Sequence, residues 1–299
     1  MMWVALAFVS AALLGCYDFF KKVSLKDNSV VGVLFLNTLF SAIIFSPFIA
    51  LSRCGVITDG ALFVPSAPLE THLLLLLKAV IVLSSWLCGY IAIKHLPITI
   101  VSPIQSTRPV LVLLGALFLF GEQLNAYQWV GVLIAIISVF LLSRSSKREG
   151  IIFVRNKWIV FVALAALFGA VSALYDKYLM RSLSPVLVQS WFNLYQALLM
   201  GVLIVVLNIF LPEQRAKKLL WRWSIPMISI FLAVADFCYF TALAQDGALI
   251  AVVSMIRRGS VVVAFLFGAL LLHEKNLKSK AFDILLILIG LFFLYLGSR

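Results

Sequence analysis

Charged side chains are scarce in this sequence. Only 12% of its 299 residues are Asp, Glu, Lys or Arg, whereas a soluble globular chain carries about 25%. Hydrophobic residues make up 64% of the chain, and the mean hydropathy is +1.12. A soluble core of this size cannot hide so much apolar surface, which excludes an ordinary soluble domain and indicates an integral membrane protein.

Residue types that hold metals or carry out hydrolysis are also scarce. The four cysteines lack the spacing of a disulfide framework or a zinc site. Only three histidines are present, and His273-Glu274 lacks the second histidine of a zinc protease motif. The 12 acidic residues form no cluster. We therefore expect no cofactor, no metal site and no enzymatic activity.

Ten apolar runs have the length needed to cross a bilayer. A spanning helix needs about 20 mostly apolar residues, and its backbone hydrogen bonds must be satisfied internally, which favours helices over strands. The first run lacks the basic leader of a cleaved signal peptide. We predict an all-α integral membrane protein with ten transmembrane helices at Met2–Phe20, Val30–Leu51, His72–Ile93, Ile98–Phe120, Tyr127–Ser143, Trp158–Met180, Pro185–Leu211, Ser224–Ala244, Ala248–Leu272 and Ala281–Leu296.

The two halves of the chain resemble each other. Tyr17-Asp18 recurs as Tyr175-Asp176 at a shift of 158 positions. The stretch Ser102–Glu122 recurs as Ser254–Glu274 at a shift of 152, with an apolar run before each glutamate. Similarity in the same order along both halves indicates an internal duplication, although short matches between apolar segments can also arise by chance.

Five helices per half is an odd number, so the second half must enter the membrane from the opposite side. The predicted architecture is therefore two inverted five-helix repeats, as in many secondary transporters, whose substrate site lies between the halves. The predicted divisions are a first repeat at 1–143, a basic linker at 144–157 and a second repeat at 158–299.

Lysine and arginine are distributed unevenly between the two predicted sides of the membrane. Sixteen fall on one side, four fall on the other, and the remaining four lie within apolar runs. The positive-inside rule places the first side in the cytoplasm, so we expect both termini to face outward. The same rule explains the net charge of +12 without a nucleic-acid partner.

Five charged residues interrupt the predicted spans: Lys78, Arg108, Asp236, Arg257 and Arg258. A charge at the centre of a spanning helix costs about 2.5–3.5 kcal/mol on the insertion scale, so four cations facing lipid would cost roughly 10 kcal/mol. We expect these side chains to face a hydrated cavity or one another. Lys78 lies near a segment end, and we expect its side chain to extend to the interface.

Polar residues recur at helical spacing in the fourth helix of each half. Ser254, Arg257 and Arg258 share one helix face. The repeat-equivalent positions carry Ser102, Gln105 and Ser106. The alternative to a binding role is a structural bridge between Asp236 and either Arg257 or Arg258. The two are compatible, because one aspartate cannot neutralise three arginines. We predict substrate binding by Arg108, Arg257, Arg258, Asp236, Gln105, Ser102, Ser254, Trp86, Tyr90 and Tyr239.

The repeated Tyr-Asp pairs lie near predicted helix ends on opposite sides of the membrane. We predict that they form two gates, and the alternative is that they only anchor the helix ends. The predicted gating residues are Tyr17, Asp18, Tyr175 and Asp176.

Several short motifs recur in a fixed order. The first half carries Tyr90–Pro97, Pro109, Gly121-Glu122 and Gly131. The second half carries Tyr239–Leu243, Leu272–Glu274 and Gly290, with Val261 in place of Pro109 and His273 in place of Gly121. This order resembles the EamA-type members of the drug/metabolite transporter superfamily. The resemblance implies a central cavity, alternating access and transport of metabolites, and it also implies cytoplasmic termini, contrary to the charge count.

We therefore predict a multi-pass secondary transporter in the plasma (inner) membrane. Its expected substrate is a small polar metabolite, anionic or zwitterionic, because guanidinium groups bind carboxylates and phosphates. The expected partners are membrane lipid and a small-molecule solute, with a monomer or homodimer as the assembly. The alternatives are a polytopic membrane enzyme acting on a lipid-linked substrate and a non-transporting receptor or assembly partner.

Overall fold

The structure is a computed structural model that describes residues 2–26, 28–95, 104, 107–144, 157–210, 219–260, 262–263, 266–267 and 277–297. In these ranges the regular secondary structure is entirely helical. The helices are α1 (Met2–Leu25), α2 (Val30–Arg53), α3 (Leu69–His95), α4 (Arg108–Phe120), α5 (Ala126–Arg144), α6 (Lys157–Leu179), α7 (Pro185–Phe210), α8 (Ser224–Leu243), α9 (Ile250–Arg257) and α10 (Leu277–Gly297).

The all-α fold class is confirmed for the described residues, and each helix lies within or overlaps one predicted segment. Among the described residues, six helices, α1–α3 and α6–α8, contain stretches long and apolar enough to cross a membrane. Ten crossings remain a prediction, because the described lengths of α4 and α9 are 13 and 8 residues.

Local sequence accounts for several helix ends. Ser29 caps α2, and its hydroxyl accepts a hydrogen bond from the Gly32 N–H at 3.2 Å. Helix α4 begins next to Pro109, whose fixed φ suits a first turn. It ends at Gly121, which adopts a left-handed conformation with φ of 61° that favours glycine. This end of α4 directs Glu122 toward the second half of the chain.

Helices α1 and α8 lie antiparallel. The hydroxyl of Ser24, near the end of α1, is hydrogen-bonded to that of Ser224 at the start of α8. Nearer the start of α1, the Ser10 hydroxyl donates to the Ala235 carbonyl at 2.7 Å. The paired residue numbers change in opposite senses, which defines the direction.

The repeat-equivalent pair, α6 and α3, is packed in the same way. Ser85 donates to the Ala165 carbonyl at 2.8 Å, and the Tyr175 hydroxyl donates to the Leu74 carbonyl at 3.2 Å. These pairs also run in opposite senses. The α1–α8 pair is therefore repeated by α6–α3.

Helices α2 and α8 lie parallel. Asn28 donates to the Leu220 carbonyl at 2.7 Å, and Ser229 donates to the Asn37 carbonyl at 3.1 Å, so both residue numbers rise together. Helices α7 and α3 also lie parallel: the Tyr195 hydroxyl is 2.9 Å from His72 Nδ1, and Met200 packs with Leu83.

Helices α2 and α7 lie antiparallel, because Leu34 packs with Met200 whereas Phe48 packs against Leu187. Combined with the pairs above, this antiparallel contact shows that each helix runs opposite to its repeat equivalent: α1 to α6, α2 to α7 and α3 to α8. The helices whose directions are fixed by these contacts therefore form an inverted repeat, as the odd helix number predicts.

Eight helices form a closed ring in which each packs against the next. The order around the ring is α2, α8, α1, α9, α4, α6, α3 and α7, which returns to α2. When each helix is replaced by its repeat equivalent (α1 by α6, α2 by α7, α3 by α8, α4 by α9, and the reverse), the same ring is obtained, read in the opposite sense. The pairs α2–α7 and α4–α9 face each other across the ring, and the remaining pair, α5–α10, packs together by close backbone approach at Gly131 and Gly290.

Candidate functional site

A central cavity of about 400 Å³ lies inside the ring. Small-molecule sites in proteins measure about 300–1,000 Å³, so the cavity has the size of a metabolite site. All eight ring helices contribute lining residues, and Arg258 and Ser260, just after α9, line the cavity as well. The cavity thus lies between the two repeats.

Most of the predicted substrate-binding residues that are described line this cavity. They are Arg108, Arg257, Arg258, Asp236, Ser254, Trp86 and Tyr239. Ser102 and Gln105 lie outside the described residues, and Tyr90 belongs to α3 with its side chain outside the described part. Their binding roles remain predictions.

Three of the four predicted gating residues also line the cavity: Tyr17, Asp18 and Asp176. Tyr175 is placed differently. Its hydroxyl is bonded to the Leu74 carbonyl, and its ring stacks on Tyr178 with centroids 5.8 Å apart. Tyr175 therefore packs between α6 and α3, and its gating role remains a prediction.

Arg257 and Asp236 form an ion pair across the α9–α8 boundary. Arg257 Nη2 is 2.7 Å from Asp236 Oδ1, and the guanidinium carbon lies 4.0 Å from the centre of the Tyr239 ring. The structural bridge expected between Asp236 and one arginine is therefore present. Because the Asp236 carboxylate is paired with Arg257, Arg108 and Arg258 remain available for a different anion.

Arg108 is held by a backbone contact with α6. Its Nη2 donates to the Gly169 carbonyl at 2.7 Å. A Cβ atom built on Gly169 would lie 2.6 Å from the guanidinium carbon of Arg108. Any larger residue would displace the guanidinium, so the glycine makes the space in which Arg108 lies.

Arg258 follows Arg257 and also lines the cavity. Within the described part of the chain, neither Arg108 nor Arg258 forms an ion pair with a carboxylate. The described charged residues of the lining are five cations and three anions, listed as Lys21, Lys78, Arg108, Arg257, Arg258, Asp18, Asp176 and Asp236. The cavity therefore carries an excess of positive charge.

The expectation that Lys78 extends to the interface is wrong. Its side chain is 2% exposed and forms an ion pair with Asp176 of α6. Its ammonium nitrogen also lies 4.4 Å from the ring centre of Phe192 and 4.9 Å from that of Phe240. A carboxylate and two aromatic faces hold the charge inside the protein, so the long side chain has no need to reach water.

Sequence reasoning missed a set of uncharged polar residues on α2 and α7. Their spacing of three or four positions is a signal in the sequence, since it places them on one face of an apolar helix. We call this set the neutral wall; it consists of Asn37, Thr38, Ser41, Asn193 and Gln196, all of which line the cavity.

Glu122 connects the two repeats at one end of the ring. Its carboxylate accepts hydrogen bonds from the backbone N–H groups of Ile250 and Ala251, at 2.7 and 3.1 Å. These are the first residues of α9, where free N–H groups and the helix dipole favour a negative charge. Its repeat equivalent Glu274 lies outside the described residues.

Comparison with known proteins is consistent with this arrangement. The model of the EamA-like transporter family matches residues 1–144 and 156–296. A protein of Archaeoglobus fulgidus described as an uncharacterized transporter is 23% identical over 253 residues, which cover 84% of this chain and 82% of that protein. A solved structure described only as the crystal structure of a protein has a TM-score of 0.72 at 15% identity, covering 98% and 96% of the two chains. The structural likeness concerns the fold alone.

Proposed function

Since this chain belongs to the EamA-like transporter family, we propose that it moves a small anionic or zwitterionic metabolite across the plasma (inner) membrane by alternating access. The family resemblance expected from the sequence motifs is confirmed, and with it a role as a multi-pass membrane transporter. The substrate class, the ten crossings, the membrane and the mode of transport are the proposed parts.

Opposite directions of the repeats support alternating access. Rocking one repeat against the other can open a site between them first to one side and then to the other. The Glu122 contact with the start of α9 lies at one end of the ring and joins the two repeats there. It is therefore placed to break when that end opens.

The anionic substrate class rests on one observation: Arg108 and Arg258 line the cavity without a carboxylate partner among the described residues. A partly buried charge without a partner is unfavourable, and a bound anion would offset part of that cost. Arginine presents a planar fork of donors that matches carboxylate and phosphate geometry. Two of the other lining cations, Lys78 and Arg257, already have aspartate partners.

Anion binding can be tested on purified protein in lipid nanodiscs by thermal stabilisation. The probes are inorganic phosphate, acetate, lactate and glutamate at equal ionic strength. We expect at least one to stabilise the wild-type protein, and we expect Arg258→Gln and Arg108→Gln to weaken its binding roughly tenfold or more, since a hydrogen bond to a charged group contributes about 1.5–3 kcal/mol.

The matched control is Arg53→Gln, which removes an exposed arginine at the end of α2 and should leave binding unchanged. Uptake of the stabilising anion into proteoliposomes should follow the same order of variants. Unaltered binding in both cavity variants would show that the solute does not bind at these arginines.

A further inference from the structure

The walls of the central cavity differ in charge. Arg108 and Arg257 lie on α4 and α9, and Arg258 follows directly; we call these three the cationic wall. Across the ring, α2 and α7 contribute the neutral wall, and the described lining residues of these two helices include no charged side chain. A solute that spans the cavity therefore meets guanidinium groups at one end and amide or hydroxyl groups at the other.

Parts of the neutral wall lack hydrogen-bond partners. Both amide atoms of Gln196 and the hydroxyl of Ser41 are unpaired among the described residues, and each residue is only 2% exposed. Buried polar groups are normally paired, because leaving them unpaired is costly. Asn193 lies one helical turn before Gln196, also lines the cavity and is more exposed to it. Donors and acceptors thus remain available on this wall.

Both repeats contribute to the neutral wall. Thr38 and Ser41 on α2 are three positions apart, as are Asn193 and Gln196 on α7. A shift of 155 positions relates the two pairs. Because α2 and α7 pack directly against each other, the two polar faces adjoin at the boundary between the repeats. Each half of the protein therefore supplies hydrogen-bonding groups to the same end of the cavity.

We propose that the neutral wall is a second subsite, which hydrogen-bonds uncharged hydroxyl or amide groups of the solute whose anionic group binds Arg108 and Arg258. This inference rests on the proposed anion transport and narrows its substrate class. The solute is a small anion with several neutral hydrogen-bonding groups. Acids with an apolar tail should bind more weakly, because their tail offers the Gln196 amide no hydrogen-bond partner. Solutes with a second anionic group at the other end are disfavoured, because the neutral wall includes no cation among its described residues.

Matched six-carbon anions test the subsite on the full chain in nanodiscs. Gluconate is compared with hexanoate, and glucose 6-phosphate with hexyl phosphate, so that each pair differs in its hydroxyl groups. We expect one hydroxylated probe to stabilise the wild-type protein at a concentration roughly tenfold lower than its apolar partner. In Gln196→Met, which keeps the shape and removes the amide, that preference should fall to about twofold or less.

The control Gln123→Met removes an exposed amide outside the cavity and should keep the full preference. If Gln196→Met does not fold, Ser41→Ala reports on the same wall. Equal stabilisation by both members of each pair, or a preference that survives these variants, would overturn the subsite and leave anion transport standing. Stabilisation by none of the four probes would instead count against the anion-binding function itself.

Discussion

The ion pair between Lys78 and Asp176 gives a stability prediction that can be worked from the structure. The two side chains are 2% and 8% exposed, so neither charge has access to bulk water. Removing one partner of such a pair leaves an uncompensated buried charge and costs about 3–5 kcal/mol. Because a whole domain is stable by only about 5–15 kcal/mol, we expect Asp176→Asn to lower the free energy of unfolding by a large fraction.

The double variant Lys78→Met/Asp176→Asn should be much less damaging than Asp176→Asn alone. Methionine keeps most of the lysine volume, and it replaces the unpaired ammonium between Phe192 and Phe240 with an apolar group that packs well against aromatic rings. Apolar replacement of a buried pair is often neutral or stabilising. We therefore expect the second substitution to recover at least about 2 kcal/mol of the loss.

The assay is reversible unfolding of the four proteins of this double-mutant cycle in detergent micelles, with helix content as the readout. Independent sites add within about 0.3–0.5 kcal/mol. Additivity within that range would mean that the two side chains do not interact in the folded protein. The packing of α3 against α6 would then have to depend on Ser85 and Tyr175 rather than on the buried charges.

Three further outcomes can be measured, two of them expected from the structure and one from the charge distribution of the sequence. Gly169→Ala should weaken anion binding roughly tenfold, because the added Cβ would displace the Arg108 guanidinium. Stability should change little, since alanine in a helix is more favourable than glycine by about 1 kcal/mol, which offsets part of the lost Arg108 hydrogen bond. Unchanged binding in nanodiscs would contradict the placement of Arg108. Glu122→Gln should speed cysteine labelling at Ala251→Cys by weakening the contact with the start of α9; an unchanged labelling rate would rule out a closing role. Alkaline phosphatase fused to the C-terminus should be active if the charge count gives the orientation, and an inactive fusion would favour the cytoplasmic termini that the family resemblance implies.

Helix positions were the most predictable part of this protein. The apolar runs predicted the starts of α7 and α8 at Pro185 and Ser224, because in lipid a long apolar segment has no alternative to a helix. The opposite directions of the halves followed from the odd helix number alone. Both features depend only on the local composition of the chain and on the number of apolar runs, which can be read directly from the sequence.

The parts that could not be predicted depend on partners that are distant in the chain. Lys78 was expected at the interface because its partner Asp176 lies 98 positions away and in the other repeat. Nothing in the sequence marked Gly169 as part of the site, since its role depends on Arg108, which lies 61 positions away in the chain. Gln196 was overlooked because an amide in an apolar helix is less conspicuous than a charge, although its spacing from Asn193 was visible.

The exchange symmetry of the eight-helix ring has a consequence for the resting state of the proposed transport cycle. If both halves carried the same side chains, the two facing states would be degenerate, and the resting protein would populate them equally. The Lys78–Asp176 pair removes that degeneracy: Asp18, the repeat equivalent of Asp176, forms no such pair with a described residue. A difference of about 1.4 kcal/mol would already give a tenfold bias in population, so a few unmatched side chains can make one facing state the resting one.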